Sequence, residues 1–489
     1  MNIFKSTMAD VSQHKPRSDR WMALAVLFLA SFMNLIDVSI VNVALPRIQA
    51  DTGATATQLE WVAAVYVLAL AVGLLPFGRF GDVFGRRRMF LWGLLGFTAA
   101  SVLCGVAPDI LTLIGARAAQ GSFAAMMVPQ VLAIVHVIFP PDEKARVFGL
   151  FGTISSLGVV AGPIIGGGLI TADFAGLGWR LAFLINVPLG MVALIGAMRF
   201  VPDLETDTTL RPDWIGTGLF AGAIVLLVLP LIEGRVLGWP WWTFAALLAC
   251  VPMMVGFVLW ERRLSKRGLS ALMPEGLLQN RPYLIRLGLV ILFFSGIPGL
   301  FLVLAIFLQS GFGLSALQSG LVTTPFPVGV MLASTLTSRF GNAYLTLRIA
   351  CGAALLTIGM IGLRVVINGV GTDLTPYLFT APLIICGFGM GTAVMSLFQV
   401  TMSSVEAQDA GAGSGAMQAF QQVGAALGIA IAGQIFFSLL GEDEMEVGTE
   451  AASRFVHAAS QATLYSMAVF AALALGLGVS AYRNRKPPQ

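Results

Sequence analysis

Charge is scarce in this sequence. Of 489 residues, 29 are Lys or Arg and 25 are Asp or Glu, 11% in all, where a soluble domain carries about 25%. Apolar residues make up 57%, and the mean hydropathy is +0.85. No water-soluble core hides that much apolar surface, which excludes a soluble enzyme, a nucleic-acid binder and a disordered chain. The net charge of +4 does not point to nucleic acid either, because the basic residues sit between apolar runs. Cysteine and histidine are nearly absent. Cys104, Cys250, Cys351 and Cys386 each lie inside an apolar run without a CxxC, and His14, His136 and His457 are scattered. They read as small buried hydrophobes and isolated rings, with no disulfide framework and no metal site.

Hydrophobic length is what remains, enough for about fourteen membrane helices at ~20 residues each. Apolar runs between short charged or Pro/Gly stretches predict spans at 21–45, 59–77, 89–107, 111–139, 146–171, 179–201, 214–232, 240–260, 283–309, 316–337, 346–367, 375–400, 411–440 and 458–482. The expected fold is an all-α polytopic membrane protein. Its first run starts at Trp21, is too long for the apolar region of a secretory signal and contains Asp37, so it reads as an uncleaved span.

The positive-inside rule tests that count. With the amino terminus in the cytoplasm, 23 of the 29 Lys and Arg fall in inside segments, five fall outside, and only Arg117 lies within a span. A single missed or spurious span would scramble this alternation. Both termini are therefore expected in the cytoplasm, with the chain multi-pass in the cell inner (plasma) membrane.

An internal repeat is also visible. Arg79-Phe80-Gly81 follows span two and Arg339-Phe340-Gly341 follows span ten, an offset of 260. The two fall at the same place if six spans repeat and spans seven and eight are an inserted hairpin. The predicted units are a six-helix bundle over 1–202, the hairpin and linker over 203–270, and a second six-helix bundle over 271–489, the two bundles forming a parallel pseudo-repeat.

Asp37 is the only carboxylate well inside a predicted span. An ionised carboxylate there costs several kcal/mol to bury, which marks it as functional and suited to carrying a proton. Arg117 is its basic counterpart. At ~1.5 Å per residue the two differ in depth by ~6 Å, a gap an arginine can cover if their helices face each other. The alternative is that Arg117 bonds only to backbone carbonyls or to Gln120. Asn34 lies one turn from Asp37 on the same face, and Asn42, Gln120 and Gln309 are further candidates for a substrate cavity.

Two glycine-rich stretches stand out. Residues 78–88, Gly-Arg-Phe-Gly-Asp-Val-Phe-Gly-Arg-Arg-Arg, suit a tight cytoplasmic turn. Gly78, Gly81 and Gly85 permit it, Asp82 caps a helix or pairs with Arg86, and no Gly-Lys-Ser/Thr follows to make a phosphate loop. In span five Gly158, Gly162 and Gly166 lie four apart on one helix face, next to Pro163 and Gly167. Close helix packing and gating both fit that pattern. Span thirteen has its own stripe at Gly411, Gly415, Gly424 and Gly428. Glu442, Asp443, Glu444, Glu446 and Glu450 read as a solvated outside loop.

Together these motifs resemble the fourteen-span drug:proton antiporter branch of the major facilitator superfamily, over essentially the whole chain. Gly78 to Arg88 is similar to its cytoplasmic loop motif, Asp37 to Pro46 to its first-span signature, and Arg117-Ala118-Ala119-Gln120-Gly121 to its fourth-span R-x-x-Q-G. Gly158 to Gly167 matches the antiporter motif of span five, and Trp179 to Pro188 resembles the entry to span six. Phe80, Val83 and Gln421 depart from the family pattern, and the second half has no mid-span acid.

The resemblance implies a transporter and no enzyme, with no cofactor and a proton gradient as driving force. It implies export of small hydrophobic or amphiphilic substrates from a monomer in the lipid bilayer, with no nucleic-acid partner. Asp37 would carry the proton and Arg117 would bias its protonation. Gly78, Gly81, Asp82, Gly85 and Arg86 would form a cytoplasmic latch, and span five would let the halves rock. A dedicated exporter of one metabolite or antibiotic is the nearest alternative. A non-transporting sensor or scaffold is another, which the proton-related motifs disfavour. Transport under an imposed pH gradient separates the three.

Overall fold

The computed structural model describes residues 17–203, 212–234, 237–267, 269, 271–337, 344–370, 374–405, 410–440 and 449–483. Among these residues every element is helical. In chain order the long elements are α1 (Arg17–Thr52), α2 (Ala56–Phe84), α3 (Arg86–Gly105), α4 (Ile110–Ile138), α5 (Pro141–Ala172) and α6 (Gly178–Phe200). They continue with α7 (Trp214–Glu233), α8 (Trp241–Lys266), α9 (Arg281–Gly311), α10 (Ala316–Thr337), α11 (Leu345–Gly369), α12 (Pro376–Met402), α13 (Ala410–Leu440) and α14 (Thr449–Arg483). Thirteen of them are long and apolar enough to cross a membrane. The other, α5, matches its neighbours in length, and its described apolar stretch is Ala161–Ala172.

Local chemistry sets the starts of these helices. Thr55 caps α2, its hydroxyl accepting from the Gln58 amide at 3.3 Å while Gln58 Oε1 accepts from the Thr55 amide at 2.9 Å. Ser315 and Gln318 form the same reciprocal box at the head of α10. Each box satisfies two amides that a helix start leaves without partners. Asp109 caps α4, and the Thr112 amide and hydroxyl it accepts from hold its carboxyl below the usual carboxylate range.

Packing follows one pattern twice. α1 packs on α4, α5 and α6, α2 on α4, and α3 on α4 and α6. α9 packs on α12, α13 and α14, α10 on α12, and α11 on α12 and α14. The two groups meet along α2 with α13 and along α5 with α10, while the α7–α8 pair leans on α2 and α13 through α7.

The small residues predicted to bring helices together do so on two faces of α5. A Cβ on Gly158, Gly162 or Gly166 would fall within 3 Å of Leu35, Ser39 or Ile40 side chains of α1. A Cβ on Gly167 would instead meet the Ala316 carbonyl of α10 at 2.7 Å, and one on Gly320 of α10 would meet the Pro163 carbonyl at 2.3 Å. In α13, Gly424 and Gly428 press against the Ile291 and Ser295 carbonyls of α9. Backbones this close gain dispersion contact that larger residues would forbid.

The expected turn over residues 78–88 needs correction. Residues 78–84 continue α2 as regular helix, and the reversal occurs at Gly85 alone, with φ +99°. An L side chain rarely adopts that φ, so one glycine carries the turn. The repeated tripeptide at 339–341, the acidic residues 442–446 and Arg235 lie outside the described residues, as does the Asp82 side chain.

Candidate functional site

Asp37 and Arg117 do face each other. The Arg117 guanidinium Nη1 lies 2.5 Å from Asp37 Oδ2, with both side chains essentially unexposed at 1% and 0%. Two amides complete the carboxylate: Gln120 Nε2 and Asn186 Nδ2 each donate to Asp37 Oδ1 at 2.8 Å. The same amides donate to Ser101 Oγ at 2.8 and 3.3 Å. Arg117 also donates to Gln120 Oε1 at 2.6 Å and to the Val62 carbonyl at 3.3 Å. Arg117 therefore pairs with Asp37, and the bonds to Gln120 and a backbone carbonyl, which the alternative made its only ones, stand beside that pair because a guanidinium has five donors to place.

Five helices meet in this cluster: α1 supplies Asp37, α2 Val62 and Tyr66, α3 Ser101, α4 Arg117 and Gln120, and α6 Asn186. Its walls are aromatic. Arg117 Cζ sits 4.2 Å from the Tyr66 ring centroid and 5.6 Å from that of Phe183, positions where ring faces attract a cation. Gly121 makes this possible, since a Cβ there would lie 2.4 Å from the Tyr66 carbonyl and push α4 away from α2. Three donors converge on one carboxylate that has no water-accessible surface.

The remaining expected residues divide. Asn34 is buried and its Oδ1 accepts from the Tyr66 hydroxyl, joining the cluster at one remove. Gln309 reaches from α9 to the Val43 carbonyl of α1 at 3.1 Å, linking the two helix groups rather than the carboxylate. It borders a cavity of about 450 Å³ with Pro46, Arg47, Thr171 and Ser315. Asn42 is half-buried on α1. Gly81 lies against the Gln130 amide, which donates to the Phe77 carbonyl, and Arg86 Nη1 donates to the Ala133 carbonyl, so the Gly85 turn is fastened to α4.

Sequence reading passed over Ser101, Tyr66 and Asn186 as site residues. Asn186 stood in the quoted entry to span six, so a signal existed; Ser101 and Tyr66 had none beyond being polar within an apolar run. It also passed over Glu60 and Glu261, two fully buried carboxyls near helix ends. Glu60 occupies space that Gly433 of α13 leaves open.

Comparison with known proteins gives one consistent answer. The model of the Major Facilitator Superfamily matches residues 27–429. A Streptomyces coelicolor protein named "Probable actinorhodin transporter" is 39% identical over 90% of this chain and 76% of its own length. The puromycin resistance protein of Streptomyces alboniger is 35% identical over 85% and 82%. The multidrug resistance protein Stp of Mycobacterium tuberculosis is 32% identical over 86% and 76%. Among solved structures, a bacterial homologue of the human lysosomal transporter Spinster superposes with a TM-score of 0.66 at 17% identity, covering 97% of this chain and 100% of that one.

Proposed function

Because this chain belongs to the major facilitator superfamily, we propose that it exports hydrophobic or amphiphilic small molecules across the cytoplasmic membrane in exchange for protons. The observation that carries the reading is the sealed Asp37–Arg117 pair with its two amide donors. Protonating Asp37 would leave Arg117 as an uncompensated buried cation, a cost of ~3–5 kcal/mol when one partner of a buried pair is lost. Proton uptake and this closed arrangement therefore exclude each other. The proton enters only when α1, α4 and α6 shift enough to rehydrate or re-pair Arg117, and that shift is the coupling.

The architecture proposed is fourteen spans, two six-helix bundles over 1–202 and 271–489 with a hairpin over 203–270, and both termini inside. The recurrence of the α1–α6 packing pattern in α9–α14 supports it. So do the capping boxes at Thr55 and Ser315, spaced 260 residues apart like the two Arg-Phe-Gly tripeptides. In this arrangement the outer end carries two bonds between the bundles, Gln309 to Val43 and the Leu317 amide to Thr171, with Gly167 packed against Ala316. On this reading Gly85 and Arg86 hold the inner end of α2 on α4.

The test is transport by purified protein in liposomes under an imposed pH gradient, with a planar aromatic antibiotic and a lipophilic dye as substrates. Efflux that rises with the gradient and collapses when a protonophore dissipates it is expected. Efflux indifferent to the gradient would overturn the reading. A narrower function, export of one antibiotic, also fits the 39% identity to the protein named "Probable actinorhodin transporter"; it predicts that the dye is left behind. Topology is checked separately: cysteines introduced at Gly234 and at Lys266 should label from the outside and only from the inside, respectively.

A further inference from the structure

A second pair of carboxyl groups lies at the inner base of the α7–α8 hairpin, away from Asp37. Asp213 caps α7 and Glu261 lies near the end of α8; they are 8% and 0% exposed. Asp213 Oδ1 accepts from the Gly216 amide at 2.9 Å and from Trp260 Nε1 at 3.0 Å, and Oδ2 from the same indole at 3.1 Å. Glu261 Oε2 accepts from the Met273 amide at 2.9 Å. Glu261 Oε1 is buried and accepts no hydrogen bond among the described residues. What it faces is the other carboxyl: a Cβ on Gly216 would lie 2.1 Å from Asp213 Oδ2 and 2.5 Å from Glu261 Oε1, so both oxygens border one small space. Asp213 Oδ2 and Glu261 Oε1 are thus neighbours, both within 2.5 Å of that one point.

Two acceptor oxygens cannot satisfy each other unless a proton lies between them. We infer that Asp213 and Glu261 form a proton-binding site, with one proton shared between the two carboxyls. Binding takes the pair from a charge of −2 to −1, with Glu261 Oε1–H donating to Asp213 Oδ2. Among the described residues Asp213 is the charged group against Glu261; Arg262 and Arg263, next along α8, are exposed, and Glu275 follows in the linker.

The site holds down a strap. Met273, bonded to Glu261, belongs to the buried linker Ala271–Met273 between the hairpin and α9. The Ala271 carbonyl accepts from Arg79 Nε at 3.1 Å, and Trp214, adjoining Asp213, packs on Phe80 with centroids 5.0 Å apart. Both Arg79 and Phe80 belong to the inner end of α2, beside the Gly85 turn. With the proton bound, hairpin, linker and α2 form one block. Without it, two buried like charges repel, the hairpin base opens and the strap leaves α2. Acid therefore keeps the strap docked and rising pH releases it.

The experiment is thiol labelling of Leu272→Cys in a Cys351→Ser background, followed across pH in lipid nanodiscs, together with the infrared carbonyl band of protonated carboxylic acids. Labelling should be slow in acid and about tenfold faster once the proton is lost, with the carbonyl band falling over the same range. Glu261→Gln imitates the protonated state, since its amide donates to Asp213 and its carbonyl accepts from Met273. It should label slowly at every pH and lack the titrating band. Asp213→Asn keeps the cap, donates to Glu261 and should behave alike, which covers a failure of Glu261→Gln to fold. Asp37→Asn should leave the titration in place, separating this site from the export reading. A Glu261→Gln profile that still follows pH like the parent overturns the inference. So does a profile set by sodium at fixed pH, which would make the pair a metal-cation site.

Discussion

The two six-helix groups share a packing plan and differ in what they bury. In α1–α6 the buried polar residues include Asp37, Arg117, Gln120, Gln130 and Asn186, and their bonds run from helix to helix. In α9–α14 the buried polar residues among those described are Ser and Thr, joined by Tyr283, whose hydroxyl donates to the Gly413 carbonyl of α13. Most of these satisfy themselves inside their own helix: Thr392 on the Phe388 carbonyl, Ser396 on Thr392, Thr401 on Leu397 and Thr463 on Ala459, each one turn back. A hydroxyl bonded one turn back asks nothing of its neighbour. A buried ion pair with shared amides ties its helices to a single arrangement. On the proposed function one group is thus fitted to sense charge and the other to slide over apolar surfaces, a division that suits exchange of a proton for hydrophobic cargo.

The largest blow to this comparison would come from making the first group resemble the second. Asp37→Asn fixes a neutral carboxamide of nearly the same shape. Gradient-driven export should drop to the level of empty vesicles, while equilibrium binding of a neutral apolar substrate persists, because apolar contacts supply most of that affinity. Proton-driven export at the parent rate would remove Asp37 from the coupling step. Next in size is Arg117→Met, which leaves the Asp37 carboxylate buried and unpaired. Unfolding in detergent should show a loss of ~3–5 kcal/mol, and the double variant Asp37→Asn/Arg117→Met should recover much of it. If the losses simply add, the pair is not a unit.

Asp37 and Arg117 were legible because charge inside a long apolar run is costly enough to stand out one residue at a time. Their pairing could only be bounded by depth, since sequence gives height along a helix but not which helices touch. Ser101 and Tyr66 were invisible for the same reason: a serine in an apolar run looks alike whether it bonds one turn back or holds two amides from other helices. The proposed repeat was read from a tripeptide, whereas the capping boxes that share its spacing needed backbone geometry to be recognised. The Gly85 turn went the other way. A run of glycines and charges looked like a loop, yet helix continues through all but one of them, because Gly81 packs on Gln130 and needs no turn.

Asn186→Ala sharpens the comparison at a smaller scale. It removes a donor that serves both Asp37 and Ser101, a loss of about 1–3 kcal/mol for a charge-linked bond. It also removes Asn186 Oδ1, a buried acceptor without a partner, which offsets part of that. A destabilisation near ~1 kcal/mol is expected, with the pH dependence of export shifted while substrate affinity is held. An unchanged pH profile would reduce Asn186 to packing.

The smallest effect makes the cleanest contrast, because it sets the same chemistry in both groups. Ser101 and Ser396 are each fully buried and each donates to the carbonyl one turn back, at 2.9 and 3.1 Å. They differ in that Ser101 also accepts from Gln120 and Asn186. Removing the Ser396 hydroxyl orphans nothing, since the Thr392 carbonyl keeps its helical amide, so Ser396→Ala should alter stability by no more than ~0.5 kcal/mol. Ser101→Ala leaves two amides short of an acceptor and should cost ~1–2 kcal/mol, with export slowed where Ser396→Ala is neutral. Denaturant unfolding of the two variants side by side measures the difference. Equal losses would mean that cross-helix bonding does not distinguish the two groups, and the assignment of charge sensing to one and sliding to the other would fail with it.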